Sequence, residues 1–243
     1  STDNAILRAD GTGGKTSQSS GVTIDDSNNI VLPTVSAGAS TGIIYKGSTR
    51  LIHTYYAGSS TGLNLFVGQG SGNFTMTGAS AFQASYNIGV GSDTLAGIST
   101  GYNNVAVGIG AGQRITTGAS NMGLGAYSLH YVTTQNSNSG VGANAGQFIT
   151  GRDNMLLGTG AGKGTLASSA INYNVVVGSN AGLDLRTGAD YNVYVGYKIC
   201  STTSATGTNN IIIGNQLEPT STSTSNELNI GGTLYGNVQS ASI

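Results

Sequence analysis

The sequence predicts an all-β chain, a repetitive β-roll or β-solenoid of short parallel strands that packs against further copies of itself. Three observations carry that expectation: a short phrase that recurs at a nearly fixed interval, an extreme composition, and strands that are apolar at every position. The phrase is Asn-apolar-x-apolar-Gly. It reads Asn64-Leu-Phe-Val-Gly68, then closes at Gly91, Gly108, Gly125, Gly142, Gly158, Gly178, Gly196 and Gly214. Those glycines fall 23, 17, 17, 17, 16, 20, 18 and 18 residues apart, a period that marks stacked supersecondary units. Charged residues make up 8% of the chain, and 40 of its 243 residues are glycine. Ordinary globular chains run near 25% charged and about 7% glycine. A surface so poor in solvating charge needs some other cover.

Taken in order, residues 1 to 60 read as an irregular β shaft that leads into the repeats. Asp25-Asp26-Ser-Asn-Asn29 and Pro33 interrupt its short apolar runs. Residues 61 to 215 are the roll, about nine repeats of 16 to 23 residues. Each repeat is expected to be a coil of two strands and two turns. In the first strand the residue after Asn is apolar except at Ser139, and the residue before the closing Gly is always apolar. Side chains alternate along a strand, so these two positions share a side and are expected to fill the coil. Valine and isoleucine dominate them, which suits a strand. A second strand is expected seven residues past the Gly, where Ile98, Ile115, Val132, Ile149 and Leu185 stand in register. Turns such as Gly108-Ile-Gly-Ala-Gly112 and Ile115-Thr-Thr-Gly118 supply glycines for positive φ. The repeated Asn is expected to stack on its counterpart in the next coil. Residues 216 to 243, opening on Glu218-Pro219, are an exit segment.

The middle position of the phrase reads Phe66, Gly89, Ala106, Gly123, Gly140, Leu156, Val176, Tyr194 and Ile212. On this parity it faces outward, yet no copy is charged. Strands apolar on both faces are buried on both faces, and stacked repeats already use their upper and lower neighbours. Another copy of the chain is therefore expected over the sheet.

Asn104-Val-Ala-Val-Gly-Ile-Gly-Ala-Gly112 and its siblings resemble the head repeats of trimeric autotransporter adhesins and the similar repeats of bacteriophage tail fibres. Leu51-Ile-His-Thr with Gly72-Asn-Phe-Thr-Met-Thr-Gly78, and upstream Leu7-Arg-Ala-Asp-Gly11 and Ser20-Gly-Val-Thr-Ile-Asp25, are similar to tail-fibre or tailspike sequence. The resemblance covers nearly the whole chain. It implies a left-handed parallel roll, a trimer, and a fibre on the virion tail that attaches to the host cell through a surface glycan or an outer-membrane protein. A bacterial trimeric surface adhesin, on the cell surface, is the alternative. The end, Leu228 to Ile243, looks like the segment preceding the intramolecular chaperone of endosialidase-type phage proteins, which implies cleavage beside Ser240 or Ser242.

Chemistry is poorly supplied. Net charge is -1, which offers no footprint for nucleic acid, and no apolar run reaches the roughly 18 residues of a membrane helix. Gly140-Val-Gly-Ala-Asn-Ala145 and Gly158-Thr-Gly-Ala-Gly-Lys163 mimic nucleotide loops without the strand, turn and helix they require. With two histidines and one cysteine, Cys200, no metal, cofactor or nucleophile site is expected. A glycan depolymerase would need paired carboxylates. The roll offers Asp93, Asp153, Asp184 and Asp190, of which Asp184 and Asp190 share a coil. The chain is therefore expected to bind and not to catalyse. The candidate receptor-binding residues are Tyr173, Tyr191, Tyr194 and Tyr197, because tyrosine joins a flat apolar face to a hydroxyl.

Overall fold

The computed structural model describes residues 5–9, 17–24, 27, 29–32, 42–57, 62–165, 169–202 and 205–237. Among them every regular element is a strand. β1 (Ala5–Ala9), β2 (Ser17–Ile24) and β3 (Ile30–Val31) form an antiparallel sheet. A 13-stranded sheet follows in strict chain order. It opens with the hairpin β4 (Ile44–Lys46) and β5 (Thr49–His53), and β5 pairs antiparallel with β6 (Leu65–Val67).

From β6 the sheet is parallel, one rung per repeat. The rungs are β7 (Ile88–Val90), β8 (Val105–Val107), β9 (Met122–Leu124), β10 (Ser139–Val141), β11 (Met155–Leu157), β12 (Val175–Val177), β13 (Val193–Tyr197), β14 (Ile211–Asn215) and β15 (Glu227–Ile230). Phrase pairs with phrase in unbroken register, as in Gly89↔Ala106 and Val176↔Tyr194. β16 (Leu234–Asn237) turns back antiparallel on β15. Both ends of the parallel stack are thus closed by a hairpin, which keeps its long run of backbone donors and acceptors from presenting a bare parallel edge.

The last parallel rung, Glu227-Leu-Asn-Ile-Gly231, is the repeated phrase with Glu in place of Asn. It lies inside the segment read as an exit. The Glu227 N–H donates to Asn210 Oδ1 at 2.8 Å, the position each repeat Asn takes on the one before it.

The facing of the strands is the reverse of the expectation. Phe66, Gly89, Ala106, Gly123, Gly140, Leu156, Val176, Tyr194 and Ile212 point into the coil and are buried, while the residues on either side of each point out. Asparagine sets the parity. Each repeat Asn lies inside, where its Nδ2 donates to a carbonyl of the returning limb, such as Gly101, Gly118 or Gly151. Alternation then carries the residue two places on, the middle of the strand, to the same side. The amide has more to gain inside than a valine does, because the returning limb carries carbonyls that no strand satisfies.

The asparagines form a continuous buried ladder. Asn121 Nδ2 donates to Asn104 Oδ1 at 3.1 Å, and Asn138 repeats the bond to Asn121 at 3.3 Å. The returning limb is not a strand. Ile98, Ile115, Val132, Ile149 and Leu185 do fill the core, but among described residues they lie between turns and bends and outside every strand, with one isolated bridge, Ile149↔Ser169. Three consecutive N–H groups, of Ser99, Thr100 and Gly101, converge on the Thr116 carbonyl. That convergence is incompatible with a β ladder, which spaces one donor to each acceptor.

Volume is traded along the axis. Leu95 and Leu129 occupy the turn position where other coils carry Gly112, Gly146, Gly162 or Gly182, and their own rungs have glycine in the middle, Gly89 and Gly123. Where the turn has Gly162, the rung carries Leu156, whose Cδ2 a Cβ at Gly162 would meet at 2.5 Å. Gly140 and Gly146 share one coil, and Leu129 of the coil before fills the space beside both, its Cδ2 lying 3.0 Å and 2.8 Å from where their Cβ atoms would stand. The closing glycines have φ near +130°, and a Cβ at Gly108 would lie 2.7 Å from the Gly125 carbonyl carbon. Nothing larger allows the coils to stack.

Candidate functional site

The outer face of the parallel sheet is the most extensive unusual surface. On the rungs from Leu65 to Ile230 the outward side chains that flank each buried middle residue are apolar except Ser139, with the exposed Tyr197 and Asn215 at the ends of β13 and β14, and the face is half-buried to exposed throughout, with Met155 at 54% and Leu157 at 46%. With strands about 3.3 Å per residue and rungs about 4.8 Å apart, the stripe is roughly 10 Å wide and 45 Å long. Parallel strands apolar on both faces are seldom left open to water, and a contiguous apolar patch on this scale marks an interaction surface.

The candidate tyrosines separate into three places. Tyr173 and Tyr191 stack, ring centroids 4.8 Å apart and planes 7° from parallel, both exposed. Each precedes a ladder Asn, at a position where φ lies between 55° and 60° in every repeat. That left-handed backbone suits the Asn103, Asn209 and Asn226 found in other coils and is strained for tyrosine. The Arg152 guanidinium lies 5.7 Å from the Tyr173 ring centre, on the preceding coil, and its Nε is 3.8 Å from Asp153 Oδ2. Tyr197 is exposed at the opposite end of the β13 rung, with the Lys198 ammonium 5.3 Å from its ring. Tyr194 is excluded as a contact residue: it is the inward middle residue of β13 and fully buried, because the parity runs opposite to expectation. Burial raises its phenol pKa far above the ordinary value, with the Cys200 thiol beside it adding to the shift. Ser240 and Ser242 lie outside the described residues.

Asp184 and Asp190, the two acids that share a coil, are held by different partners. Asp184 binds Arg186 (Oδ1 to Nε 3.3 Å), and Asp190 Oδ1 accepts from the Asn172 N–H at 2.7 Å on the preceding coil. These acids are occupied in different structural bonds. The histidines are packing residues as well. The His53 ring lies between Phe66 and Phe74, with Nε2 2.8 Å from the Ser71 carbonyl, and His130 Nδ1 is 2.9 Å from the Gly110 carbonyl. Cys200 is buried, which pushes its thiol pKa up. The glycine motifs at residues 140–145 and 158–163 are coil corners, with Gly158, Gly160 and Gly162 all at positive φ. Among the described residues no group of three or more His, Cys, Asp or Glu is placed to hold a metal, and no helix is long and apolar enough to cross a membrane. No protein-family model, curated protein or solved structure matches the chain.

Proposed function

We propose that this chain is a structural and receptor-binding segment of a phage tail fibre or spike, and that three copies bury the outward apolar stripe against one another about a common axis. The single observation behind this reading is the outer face from Leu65 to Ile230, apolar on both sides of every buried middle residue but for Ser139. A second copy is the occupant that fits it. Identical stacks share one rung spacing, so the outward side chains of one copy interdigitate with those of the next along the full 45 Å. A partner of unrelated fold has no such periodic match. Net charge near zero spares the association long-range repulsion.

The corners then face outward as an extended binding rod on the virion tail. Tyr173 and Tyr191, strained and exposed, and Tyr197 are the residues proposed to touch a host surface glycan or outer-membrane protein. A downstream chaperone released near Ser240 or Ser242 would align the three copies while they fold.

The test is binding of the fluorescently labelled protein to a panel of bacterial cells, and competition with virions for adsorption. The reading expects saturable binding to at least one strain, reduced by Tyr173→Ala together with Tyr191→Ala. Release of oligosaccharide from those cells on incubation would favour a depolymerase instead. Absence of binding to the strain from which the virus grows would end the proposal.

A further inference from the structure

The β4–β5 hairpin and the corners of the first two coils flank an open cavity of about 510 Å³ lined by Tyr45, Ser48, Thr49, Arg50, Gln69 and Asp93. Its walls are fixed to one another. β5 pairs with β6 through Ile52↔Val67, the Gly68 N–H donates to the Leu51 carbonyl at 2.7 Å, and the Asp93 N–H donates to the Gln69 carbonyl at 2.8 Å. The volume falls within the range of small-ligand sites, about 300 to 1,000 Å³.

The two charges in this cavity are uncompensated. The Arg50 guanidinium rests 4.1 Å from the centre of the Phe74 ring, and among the described residues no carboxylate lies within ion-pair distance of it. Asp93 Oδ2 accepts one long bond, from Ser92 Oγ at 3.4 Å, and the carboxylate has no cationic partner among those residues. Elsewhere in the roll Arg152 and Arg186 each pair with a neighbouring aspartate, while Arg114 rests 4.2 Å from the centre of the Tyr131 ring, as Arg50 does on Phe74. The backbone also makes room for this arrangement. Gly70, at φ +68°, lines the cavity, and a Cβ there would run into Asp93 Oδ1. Asp93 itself is held at φ 56°.

We infer that this cavity is a binding site for a carboxylated sugar, a hexuronic acid unit of a glycan. The guanidinium takes the sugar carboxylate as a planar bidentate partner. Asp93 accepts from ring hydroxyls, and Ser48, Thr49 and Gln69 complete the hydroxyl pattern with groups that both donate and accept. The half-exposed Tyr45 ring offers an apolar face to the sugar's C–H surface. A free amino acid matches the two charges but leaves the three neutral groups and most of the volume unused. The site is built from one chain alone, so it stands or falls independently of the trimer and of the tyrosine contacts proposed above.

The experiment is calorimetric titration of the full chain with glucuronic and galacturonic acid disaccharides, with the same disaccharides reduced to neutral hexoses, and with free glutamate. Saturable binding of at least one acidic disaccharide is expected, with the neutral form and glutamate at least tenfold weaker. Asp93→Asn keeps a residue at ease in the left-handed backbone, and it and Arg50→Gln should each weaken binding at least tenfold. Thr117→Ala, at an exposed bend outside this lining, should leave it unchanged. Gln69→Ala, at the exposed rim, gives a several-fold loss and serves where Arg50→Gln fails to fold. Absence of saturable binding by both acidic disaccharides, equal binding of glutamate, or indifference to Asp93→Asn and Gln69→Ala would overturn the assignment.

Discussion

Replacing Asn121 by alanine probes the internal ladder at a point where every bond can be counted. Its Nδ2 donates to Asn104 Oδ1 at 3.1 Å and to the Gln135 carbonyl at 2.9 Å; its Oδ1 accepts from the Asn138 N–H at 3.0 Å and from Asn138 Nδ2 at 3.3 Å. After truncation Asn104 Oδ1 still receives the residue 121 N–H, and Asn138 Nδ2 still reaches the Gly151 carbonyl. The Gln135 carbonyl and the Asn138 N–H lose the partners described for them. Each orphaned group costs about 1 to 3 kcal/mol, so the expected loss is roughly 2 to 5 kcal/mol after allowing for the half-buried Gln135. In a chain of this size that corresponds to a melting point lower by about 4 to 20 °C. Because repeat proteins lose stability locally, the Asn138 amide should also exchange faster while amides in β13 and β14 change least. The control is Thr117→Ala, at an exposed turn, where a change within about 0.5 kcal/mol is expected. Thermal unfolding followed by circular dichroism, with hydrogen exchange, measures both. If Asn121→Ala melts with Thr117→Ala, the ladder does not hold the coils together and the reasoning fails.

Burial lowers the His53 pKa below 6.5, an effect only partly offset by the hydrogen bond to Ser71. With Nε2–H donating to the Ser71 carbonyl, Nδ1 is the acceptor for the Tyr55 N–H at 3.4 Å, and a second proton there would face that donor. The unfolded chain therefore binds the proton more tightly. Stability is full above about pH 6.5 and is lost as pH falls toward the lowered folded value. Amide exchange in β5 and β6 should accelerate over that window in the wild type and not in His53→Gln; the same acceleration in both would contradict the assignment. Cys200, buried with a raised thiol pKa, should resist a thiol-specific reagent at pH 8 until the protein unfolds. Labelling at the rate of a free thiol in the native state would place it at the surface.

The repeat period was legible because it is written in glycines. The closing Gly admits no side chain where coils touch, and the ladder admits little but Asn, so both positions recur visibly. Strand facing was misjudged because apolar content was taken to mark the inside. The inside was marked by asparagine, whose amide serves carbonyls on a limb that the sequence made look like a strand. Ile98, Ile115 and Val132 are β-branched because they fill the core, not because their backbone is extended. The last rung escaped notice because Glu227 stands where the phrase has Asn, although Leu228, Ile230 and Gly231 complete it. Tyr173 and Tyr191 were legible as a pair through their shared place before an Asn. Tyr194 followed the facing error into the interior. The cavity at Arg50 and Asp93 was hidden, because it joins residues from a hairpin and two successive coils that no local pattern connects.

Light scattering on Leu157→Asp and the wild type tests whether other copies of the chain cover the outward apolar stripe. Leu157 points outward and half-exposed from β11, whereas its neighbour Leu156 is buried in the coil. The wild type is expected at about 73 kDa, three times the 24.3 kDa chain. Leu157→Asp is expected to fall to the single-chain mass with its β-sheet spectrum intact, since the charge meets only water once the copies part, while Leu156→Asp unfolds the coil itself. A monodisperse wild-type particle of 24.3 kDa, or a Leu157→Asp variant as fully assembled as the wild type, would contradict the account.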